Sequence, residues 1–428
     1  MLSLIENKIL KKNIIVSVIG LGYTGLPLAI LIARNDYKLI GYDNDKNKIK
    51  QIRDRRNVDH DKNELKNFLK LKNTKLTSNL SEIKKADILI ICLPTPLDKN
   101  KQPDLKSIET FMKAYKKFFK KNQLIIFEST TYPGTTKKYI VDFINELGFS
   151  VGKNFFVGYS PERIDPGRKI DLSKINKIYS GYSSKCKKLI KIFYKKLFKN
   201  VFELENIESC ELTKLFENIY RNINIGLVNE MKIISDRLNI NFRNVLDAAE
   251  TKSYGFKRFN PGPGIGGHCI PIDPFYLTWK MKEYDLHTRF IELSGEVNSQ
   301  MPMWCVNKVK EHFLDKSLNF TKAKILILGL AYKKNVSDIR ESPALKICEI
   351  LKQTNDEIYF YDPHVKSCDF VKKNKIKFFD LNKRNIKFFD CVILCTDHDN
   401  MNYKKVLKEA KIIFDTRLKL TSNKVISI

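Results

Sequence analysis

Short, almost continuous runs of Ile, Val and Leu recur along residues 13 to about 205 and alternate with stretches of helical spacing. Runs of this kind are typical of parallel strands that are covered on both faces of the sheet. The alternation with helices therefore predicts a βαβ series over this part of the chain. The runs are IIVSVIGLG, KLIGYD, DILIICLP and QLIIFEST.

From residue 206 to about 315 the apolar residues recur every three or four positions, which predicts helices. The segment ESCELTKLFENIYRNINIGLVNEMKIISDRL contains no proline and predicts one long helix. A helix of this length often bridges domains or forms a dimer interface. The Gly/Pro-rich segment FNPGPGIGGHCIPIDP interrupts the helical region.

Residues 322 to 428 return to the α/β pattern, with strands predicted at KAKILILGLAY, EIYFYDP, FDCVILCTD and KIIFDTR and a helix at SPALKICEILK. The segment KILILGLAYK echoes IIVSVIGLGY near the start of the chain. We therefore predict an α/β protein with two Rossmann-like domains, each with a parallel sheet, joined by a central helical domain that contains the long helix. The predicted boundaries are 1–205, 206–315 and 316–428.

The formal net charge of +29 by itself favours a nucleic-acid-binding protein. The lysines are spread along the whole chain, however, which is typical of a solvated basic surface, so we expect no nucleic-acid partner. No apolar run is long enough to span a bilayer, and the first residues do not resemble a signal peptide. We therefore expect no membrane association and a cytoplasmic location.

A dinucleotide site is predicted where the first strand runs into a GxGxxG segment that precedes a helix. These glycines permit a tight turn and a close approach of the backbone to a pyrophosphate. Asp43 follows the last of them by eighteen residues, where a carboxylate accepts hydrogen bonds from ribose hydroxyls and repels a 2′-phosphate. NAD is therefore favoured over NADP, although Lys46 and Lys48 weaken that preference. The alternative is a Gly-rich turn in another α/β protein.

A second strand of this domain ends in a PTP turn, which lies at the ligand-binding edge of such a sheet and brings Thr95 to a position from which it could contact the cofactor. Taken alone, this turn is equally compatible with a purely structural role.

Nine cysteines occur without a CxxC pair or a zinc-ligand spacing, which favours free thiols in a reducing compartment and no metal site. Cys269 stands apart because it ends a loop with four glycines and two prolines, and such loops let the backbone lie against a ligand. A thiolate near a helix start becomes nucleophilic. The alternative interpretations are a buried cysteine after a structural turn and, for Asp273, a helix N-cap before Pro274.

A nicotinamide-binding domain together with a loop cysteine indicates a four-electron oxidation of an alcohol to an acid. The aldehyde stage is captured by the thiol as a thiohemiacetal, which is oxidised to a thioester and hydrolysed. A simple two-electron dehydrogenase of the β-hydroxyacid type is the enzymatic alternative, and the loop around Cys269 argues against it. A nucleic-acid-binding protein with a vestigial Rossmann domain is the non-enzymatic alternative, supported by charge alone.

The chain resembles the UDP-glucose/GDP-mannose dehydrogenase family over nearly its whole length. The motifs occur in the order of the family: GLGYTGLPLA, PTP, EST, SPER, ELTKLFENIYRNINIGLVNE, GPGIGGHCIPIDP, GLAYKKNVSDIRESPA and DTR. Within the family, GGHCIPIDP is most similar to the UDP-N-acetylglucosamine 6-dehydrogenase branch, because Ile270 and Ile272 stand where the UDP-glucose branch has an aromatic residue and a lysine.

The resemblance implies oxidation of the C6 hydroxyl of UDP-N-acetylglucosamine by two NAD, for polysaccharide precursor synthesis, in a homodimer or higher homo-oligomer. The same chemistry on UDP-N-acetylgalactosamine, UDP-N-acetylmannosamine or UDP-glucose is the alternative. Six residues receive catalytic roles: Cys269 as nucleophile, Lys214 and Asn218 at the C6 oxygen, Asp273 as general base, Glu162 at the sugar or the hydrolytic water, and Thr130 at that water or the nicotinamide.

The resemblance also implies two sets of binding residues. Without the surrounding motif, Lys214 would be interpreted as a solvated helix lysine. The cofactor residues are Gly20, Gly22, Tyr23, Thr24, Gly25, Asp43, Lys48, Thr95, Thr130 and Arg340. The UDP-sugar residues are Glu162, Arg163, Lys214, Asn218, Arg221, Arg258, Phe259, Gly266, Tyr332, Lys333 and Arg417.

Overall fold

Strands of near-continuous apolar sequence form a parallel sheet in the first part of the protein. The computed structural model describes residues 4–56, 61–98, 100–164 and 171–428, which form two compact units, 1–217 and 218–428. The strands described in the first unit are β1 (Ile15–Ile19), β2 (Lys38–Tyr42), β3 (Thr74–Thr77), β4 (Ile88–Ile91), β5 (Leu124–Phe127), β6 (Phe156–Tyr159), β7 (Lys177–Gly181) and β8 (Val201–Glu203).

The strand order in this sheet is β3-β2-β1-β4-β5-β6-β7-β8, and its first six strands have the order of a dinucleotide-binding sheet. The pairing is parallel throughout the described sheet except between β6 and β7, which are antiparallel. The predicted parallel sheet is confirmed, and the antiparallel pair lies among strands that the sequence pattern did not predict. The helices of this unit are α1 (Leu4–Leu10), α2 (Gly25–Arg34), α3 (Lys46–Asp54), α4 (Lys62–Leu69), α5 (Lys106–Tyr115), α6 (Asp142–Glu146) and α7 (Ser184–Tyr194).

The predicted long helix is α8 (Ile207–Arg237), which begins and ends one residue earlier than its sequence pattern suggests and contains the boundary between the two units. The second unit continues with α9 (Phe242–Glu250), α10 (Asp273–Met281) and α11 (Arg289–Asp315). These helices confirm the helical character predicted between residues 206 and 315.

A second Rossmann-like sheet follows, as predicted, and its pairing is parallel with the order β11-β10-β9-β12-β13-β14. Along β9, Ile325 and Ile327 pack into one apolar cluster whereas Leu326 and Leu328 pack into another. This two-sided burial explains why the strands contain no alternating polar residues. The elements are β9 (Ile325–Leu328), α12 (Pro343–Lys352), β10 (Ile358–Tyr361), α13 (Asp369–Lys373), β11 (Lys377–Phe378), β12 (Cys391–Leu394), α14 (Tyr403–Glu409), β13 (Ile413–Asp415) and β14 (Val425–Ser427).

The helices were compared with what a membrane span requires. Within the four described ranges, no helix is both long enough and apolar enough to cross a bilayer.

Candidate functional site

The Gly-rich turn after β1 has the geometry of a pyrophosphate cradle. Gly20 has φ +89°, and a Cβ there would lie 2.7 Å from the carbonyl oxygen of Cys92. A Cβ on Gly25 would lie 1.8 Å from the carbonyl oxygen of Gly20, so only glycine lets α2 start this close to β1. A Cβ on Gly22 would meet no atom of the protein within 4 Å. The three positions therefore serve the turn, the helix packing and an open approach for a ligand.

The two residues between the second and third glycines lead into α2. Thr24 is the N-cap residue of α2, but its side chain makes no capping hydrogen bond. Tyr23 is 40% exposed. The N-terminus of a helix offers backbone N–H groups and a favourable dipole to an anion, which fits the pyrophosphate of a dinucleotide.

Asp43, directly after β2, is hydrogen-bonded to the Gly-rich turn. Its Oδ2 accepts from the backbone N–H of Leu21 at 2.9 Å, and its Oδ1 accepts from that of Asp45 at 3.0 Å. Lys48 lies half-buried on α3. The carboxylate is thus held at the end of β2, where the ribose of a dinucleotide is recognised in this fold.

Thr95 and Thr130 are brought together at the carboxyl ends of β4 and β5. The Thr95 hydroxyl is buried and donates to the carbonyl oxygen of Thr130 at 2.7 Å. The Ser129 hydroxyl donates to the carbonyl oxygen of Leu93 at 2.7 Å. The PTP and EST segments are therefore hydrogen-bonded to each other, because they follow adjacent strands of a parallel sheet.

Glu162 follows β6 and is almost fully buried. Its Oε1 accepts from the backbone N–H groups of Arg163 and Ile164 at 2.6 and 2.7 Å. Its Oε2 lies 3.5 Å from Nζ of Lys177 and makes no hydrogen bond with any described residue. The backbone turn thus fixes one oxygen of the carboxylate, and the other keeps its lone pairs.

Arg163 makes an ion pair with Glu217, and one of its guanidinium nitrogens donates to the carbonyl oxygen of Asn176 at 2.8 Å. These bonds use part of the donor capacity of the guanidinium, and the contact of Arg163 with the substrate stays a prediction.

Lys214, on α8, has 9% of its surface exposed. Within the described ranges its ammonium has no hydrogen bond or ion pair, which is costly for a buried charge unless a ligand supplies the partner.

In the second unit, Asn218 and Asp273 form a buried pair. The side-chain amide of Asn218 donates to Oδ2 of Asp273 at 2.5 Å. Asp273 is 2% exposed and opens α10, with Ile272 as the N-cap residue. The alternative that Asp273 is itself the N-cap is wrong, because its backbone is already helical and its side chain turns to Asn218.

Cys269 lies one turn before α10. Its carbonyl oxygen accepts from the backbone N–H groups of Ile272 and Asp273 at 3.1 and 2.7 Å, which leads the chain into the helix. The residue is partly exposed. Burial and the charge of Arg340 lower the pKa of the neighbouring His268, so that its imidazole is neutral at pH 7. A reactive thiol at this position stays a prediction.

Of the remaining eight cysteines, seven are buried, and Cys368 is partly exposed as the N-cap residue of α13. In six of them burial raises the pKa of the thiol, which keeps the group neutral and unreactive. The six are Cys92, Cys210, Cys305, Cys348, Cys391 and Cys395.

Buried amides hold the loop that carries Cys269. Asn222 donates from its side chain to the carbonyl oxygen of Ile270 at 3.1 Å, and Asn229 accepts from the backbone N–H of Gly262 at 2.9 Å. Asn298, on α11, donates to the backbone carbonyl of Asn222 and accepts from Asn229. Helix α8 therefore binds both ends of the loop, and α11 supports the two α8 asparagines, through polar contacts that the apolar pattern did not reveal.

The glycines next to Cys269 lie against the protein itself. A Cβ on Gly266 would lie 2.6 Å from Cβ of Tyr332, and a Cβ on Gly267 would lie 2.6 Å from its ring. The space that these two glycines leave is taken by Tyr332, whereas the sequence suggested a surface for a ligand. A contribution of Gly266 to substrate binding stays a prediction.

The residues around the second sheet that were predicted to bind ligands, Arg340 for the cofactor and the others for UDP, are partly engaged. Arg340 is held by Asp338 through three hydrogen bonds of 2.7 to 3.1 Å, and Nε of Arg417 donates to the carbonyl oxygen of Cys395 at 2.8 Å. Tyr332 and Lys333 remain half-buried after β9.

Arg258, Phe259 and Arg221 differ in their surroundings. Arg258 is paired with Asp247 and Glu250 at 2.6 and 2.8 Å. Phe259 packs on the cluster around Leu246, and Arg221 is exposed on α8. Their roles toward a substrate stay predictions.

Three domains of a single family match the chain in order. The NAD-binding domain of the UDP-glucose/GDP-mannose dehydrogenase family matches residues 14–198, its central domain residues 208–300 and its UDP-binding domain residues 326–422.

The chain belongs to the UDP-glucose/GDP-mannose dehydrogenase family. The predicted membership and the predicted cofactor, NAD, are thereby confirmed, and the protein is an NAD-binding oxidoreductase. The Gly-rich turn lies in the NAD-binding domain of the family, Cys269 in its central domain, and Tyr332 in its UDP-binding domain.

Relatives within the UDP-glucose/GDP-mannose dehydrogenase family are similar over nearly the full length. Protein CapL of Staphylococcus aureus is 35% identical over 413 residues, covering 94% of this chain and 95% of the relative. UDP-N-acetyl-D-glucosamine 6-dehydrogenase of Pseudomonas aeruginosa is 32% identical over 424 residues, covering 96% and 99%. The structure of UDP-D-ManNAc dehydrogenase from Pyrococcus horikoshii superposes with a TM-score of 0.85 at 32% identity, covering 95% and 96%.

Sequence reasoning missed several polar residues of this family member. Lys177 was one of 77 Lys and Arg residues, and nothing in its spacing distinguished it. Glu128 stands in the EST segment, where only Thr130 was singled out. A signal was present there, because a glutamate that directly follows the buried strand LIIF needs a partner.

Proposed function

We propose that the protein is a UDP-N-acetyl-D-glucosamine 6-dehydrogenase that oxidises the C6 hydroxyl to a carboxylate with two NAD and one water. The overall balance is one alcohol, two NAD⁺ and one water giving one carboxylate, two NADH and three protons. The observation that carries the proposal is Cys269, a partly exposed cysteine on the loop before α10. Asp273, the first residue of α10, forms the buried pair with Asn218 of α8.

Each oxidation needs a group that removes the proton of a hydroxyl. Asp273 is buried and its partner Asn218 is a neutral donor, so the carboxylate can act as the general base. Lys214 supplies positive charge to the oxygen as it becomes anionic. NAD, when bound to the Gly-rich turn, accepts a hydride in each of the two oxidations.

Cys269 gives the second oxidation its substrate. The thiolate attacks the C6 aldehyde and forms a C–S bond, and the carbonyl oxygen takes up a proton, which gives a thiohemiacetal. Loss of hydride and of that proton gives a thioester. Water then attacks the thioester carbon, the C–S bond breaks, and Cys269 leaves as thiolate. Glu162 is proposed to orient or deprotonate this water.

The sugar is tested directly with four UDP-sugars in parallel: the N-acetyl derivatives of glucosamine, mannosamine and galactosamine, and UDP-glucose. We expect the highest kcat/KM with UDP-N-acetylglucosamine and about two NADH per sugar consumed. One NADH per sugar, with an aldehyde product, would overturn the four-electron mechanism. No NADH from any of the four would overturn the proposed function.

UDP-N-acetyl-D-mannosamine is the second candidate substrate. It is favoured by the Pyrococcus horikoshii structure, whose title names that sugar and whose fold superposes with a TM-score of 0.85. A kcat/KM for this sugar above that for UDP-N-acetylglucosamine would move the assignment within the same reaction class.

We also propose a homodimer through α8. Four large apolar side chains are exposed on its second-unit portion at helical spacing, and a fifth follows its last residue. Such a stripe on a long helix fits a second copy of the same helix. Leu227→Asp combined with Met231→Glu should give a monomer by light scattering, while the parent protein runs as a dimer. The five are Tyr220, Leu227, Met231, Ile234 and Leu238.

A further inference from the structure

A buried lysine lies beside Glu162. Lys177 is 1% exposed, and its Nζ donates to Oε2 of Glu128 at 2.6 Å and to the carbonyl oxygen of Pro161 at 3.3 Å. The same nitrogen lies 3.5 Å from Oε2 of Glu162. Lysine is almost never fully buried unless it is paired, so this group of charges calls for an explanation.

The antiparallel pair in the first sheet produces this placement. Tyr159 on β6 pairs with Ser180 on β7. In an antiparallel pair, three residues forward from Tyr159 and three residues back from Ser180 bring Glu162 opposite Lys177. Glu128 follows β5, the other neighbour of β6. A parallel β7 would start at the opposite edge of the sheet, and Lys177 would then lie far from both carboxylates.

The two carboxylates differ in how many partners they have. Both oxygens of Glu128 are engaged, one by Lys177 and the other by the hydroxyl of Tyr194 on α7. Glu162 has hydrogen bonds only at Oε1, from two backbone N–H groups, among the described residues. Glu128, which is itself bonded by Tyr194, therefore holds Lys177. Oε2 of Glu162 faces the Lys177 ammonium and makes no hydrogen bond with a described residue.

The charge states follow from the surroundings. Burial by itself lowers the pKa of Lys177, but the carboxylates of Glu128 and Glu162 outweigh it and the pKa is raised, so the group stays an ammonium. Burial raises the pKa of Glu128, against the lowering effect of Lys177. Burial raises the pKa of the other titratable neighbours, Cys92, Cys210 and Tyr194, and keeps them neutral.

We propose that Lys177 is a positioning residue for Glu162, orienting this carboxylate by its charge so that Oε2 can accept a proton from the water or hydroxyl at the reacting carbon. The inference rests on the role of Glu162 in the proposed function. Arg163 is directed to Glu217 and the carbonyl of Asn176, so Lys177 is the cation that faces Glu162 within the described residues. Without it, two buried carboxylates face each other, and such a pair cannot both ionise near neutral pH.

The test compares kcat against pH for the parent protein, Lys177→Met, Lys177→Arg and the double variant Lys177→Met with Glu128→Gln. For Lys177→Met we expect kcat at pH 7 to fall about 100-fold and the acid limb to move up by about 1 to 3 pH units. Lys177→Arg should keep the parent profile. The double variant should move the limb back toward the parent, because only one carboxylate remains.

Lys185→Met is the matched control, because this exposed α7 lysine lies over the ring of Phe156 and makes no described contact with Lys177, Glu128 or Glu162. NAD affinity within about twofold of the parent, checked by titration, shows that Lys177→Met is folded. A Lys177→Met enzyme with an unmoved acid limb, or a fallen kcat that Lys177→Arg does not rescue, would overturn the inference.

Melting temperature against pH tests the charge pairing of Lys177 with Glu128 and Glu162 without relying on turnover. In Lys177→Met the pKa of Glu128, which burial already raises, loses the lowering effect of Lys177 and rises further. The stability that this carboxyl contributes is therefore present at low pH and is lost as the pH rises above about 4.5. We expect this extra loss in Lys177→Met and a much smaller one in the double variant. Equal slopes in all variants would refute the charge argument even if the parent oxidised no UDP-sugar, so the two failures are distinct.

Discussion

Asn218 donates its side-chain amide to Oδ2 of Asp273 across 55 residues of sequence, and both side chains are buried. A neutral donor stabilises the ionised carboxylate without adding a charge that competes for the proton. The pair also binds the start of α10 to α8, which are the two helices that carry these residues.

Replacing the amide by a second carboxylate tests this pairing. In Asn218→Asp two buried carboxyl groups share one site, so the pair takes up a proton at higher pH than Asp273 does alone. We expect the acid limb of kcat to move up by at least about 1 pH unit and kcat at pH 7 to fall about tenfold. Asn244→Asp, an exposed change on α9, adds the same charge and should leave the profile unchanged. An unchanged profile in Asn218→Asp would argue against Asp273 as the base.

The nucleophile is tested by Cys269→Ser. A serine hydroxyl at this loop is not deprotonated near pH 7, so no thioester forms and carboxylate production should fall by about 1,000-fold or more. NAD binding and the melting temperature should stay near those of the parent. Cys368→Ser is the control, since this cysteine is the other one that is partly exposed. Normal acid production by Cys269→Ser would remove the nucleophile from the mechanism.

The three glycines of the cofactor turn should fail in different ways. Gly25→Ala places a Cβ where the carbonyl oxygen of Gly20 lies, so we expect loss of folded protein or a large drop in melting temperature. Gly22→Ala meets open space in the free protein and should fold normally. It should nevertheless weaken NAD binding about tenfold or more, because the methyl group enters the ligand's approach. Equal NAD affinity in Gly22→Ala and the parent would place the pyrophosphate elsewhere.

Glu211, on α8, is predicted to make stability depend on pH. Burial raises its pKa to about 7, against hydrogen bonds from the backbone N–H groups of Gly134 and Thr136 and from the Thr136 hydroxyl. Because the folded pKa lies above the unfolded one, this contribution to stability is present below about pH 4.5 and is lost as the pH rises through about 7. Glu211→Gln should flatten the melting temperature between pH 4.5 and 8 relative to the parent. Parallel curves for the two proteins would contradict the assignment.

Local patterns were sufficient for most of the fold. Near-continuous apolar runs predicted four strands of each sheet, because a strand that is buried on two faces has few positions for a polar side chain. They are β1, β2, β4 and β5 in the first sheet and β9, β10, β12 and β13 in the second. The GxGxxG motif also predicted the geometry of the turn that it forms. The clash distances at Gly20 and Gly25 arise from atoms a few residues away in sequence or on the neighbouring strand end, so the motif carries nearly all the information.

Charge pairing could not be predicted in the same way. Arg163 and Arg258 were expected to reach substrate, yet each already has carboxylate partners, Glu217 for the first and Asp247 with Glu250 for the second. A lysine or arginine has the same appearance in sequence whether it faces water, a ligand or a buried carboxylate. Which of these it meets depends on residues that are distant along the chain.

The sequence by itself determined the two βαβ sheets, the long helix, the Gly-rich turn of the NAD-binding domain and the Gly-rich loop before Cys269, because each is encoded by residues within one short segment. Only the tertiary structure decided that β7 runs antiparallel to β6 and so brings Lys177 beside Glu162 and Glu128. The same holds for the bond between Asn218 and Asp273. The physical reason is that hydrophobic periodicity is a local property, whereas the partner of a buried charge is chosen by the pairing of distant strands and helices.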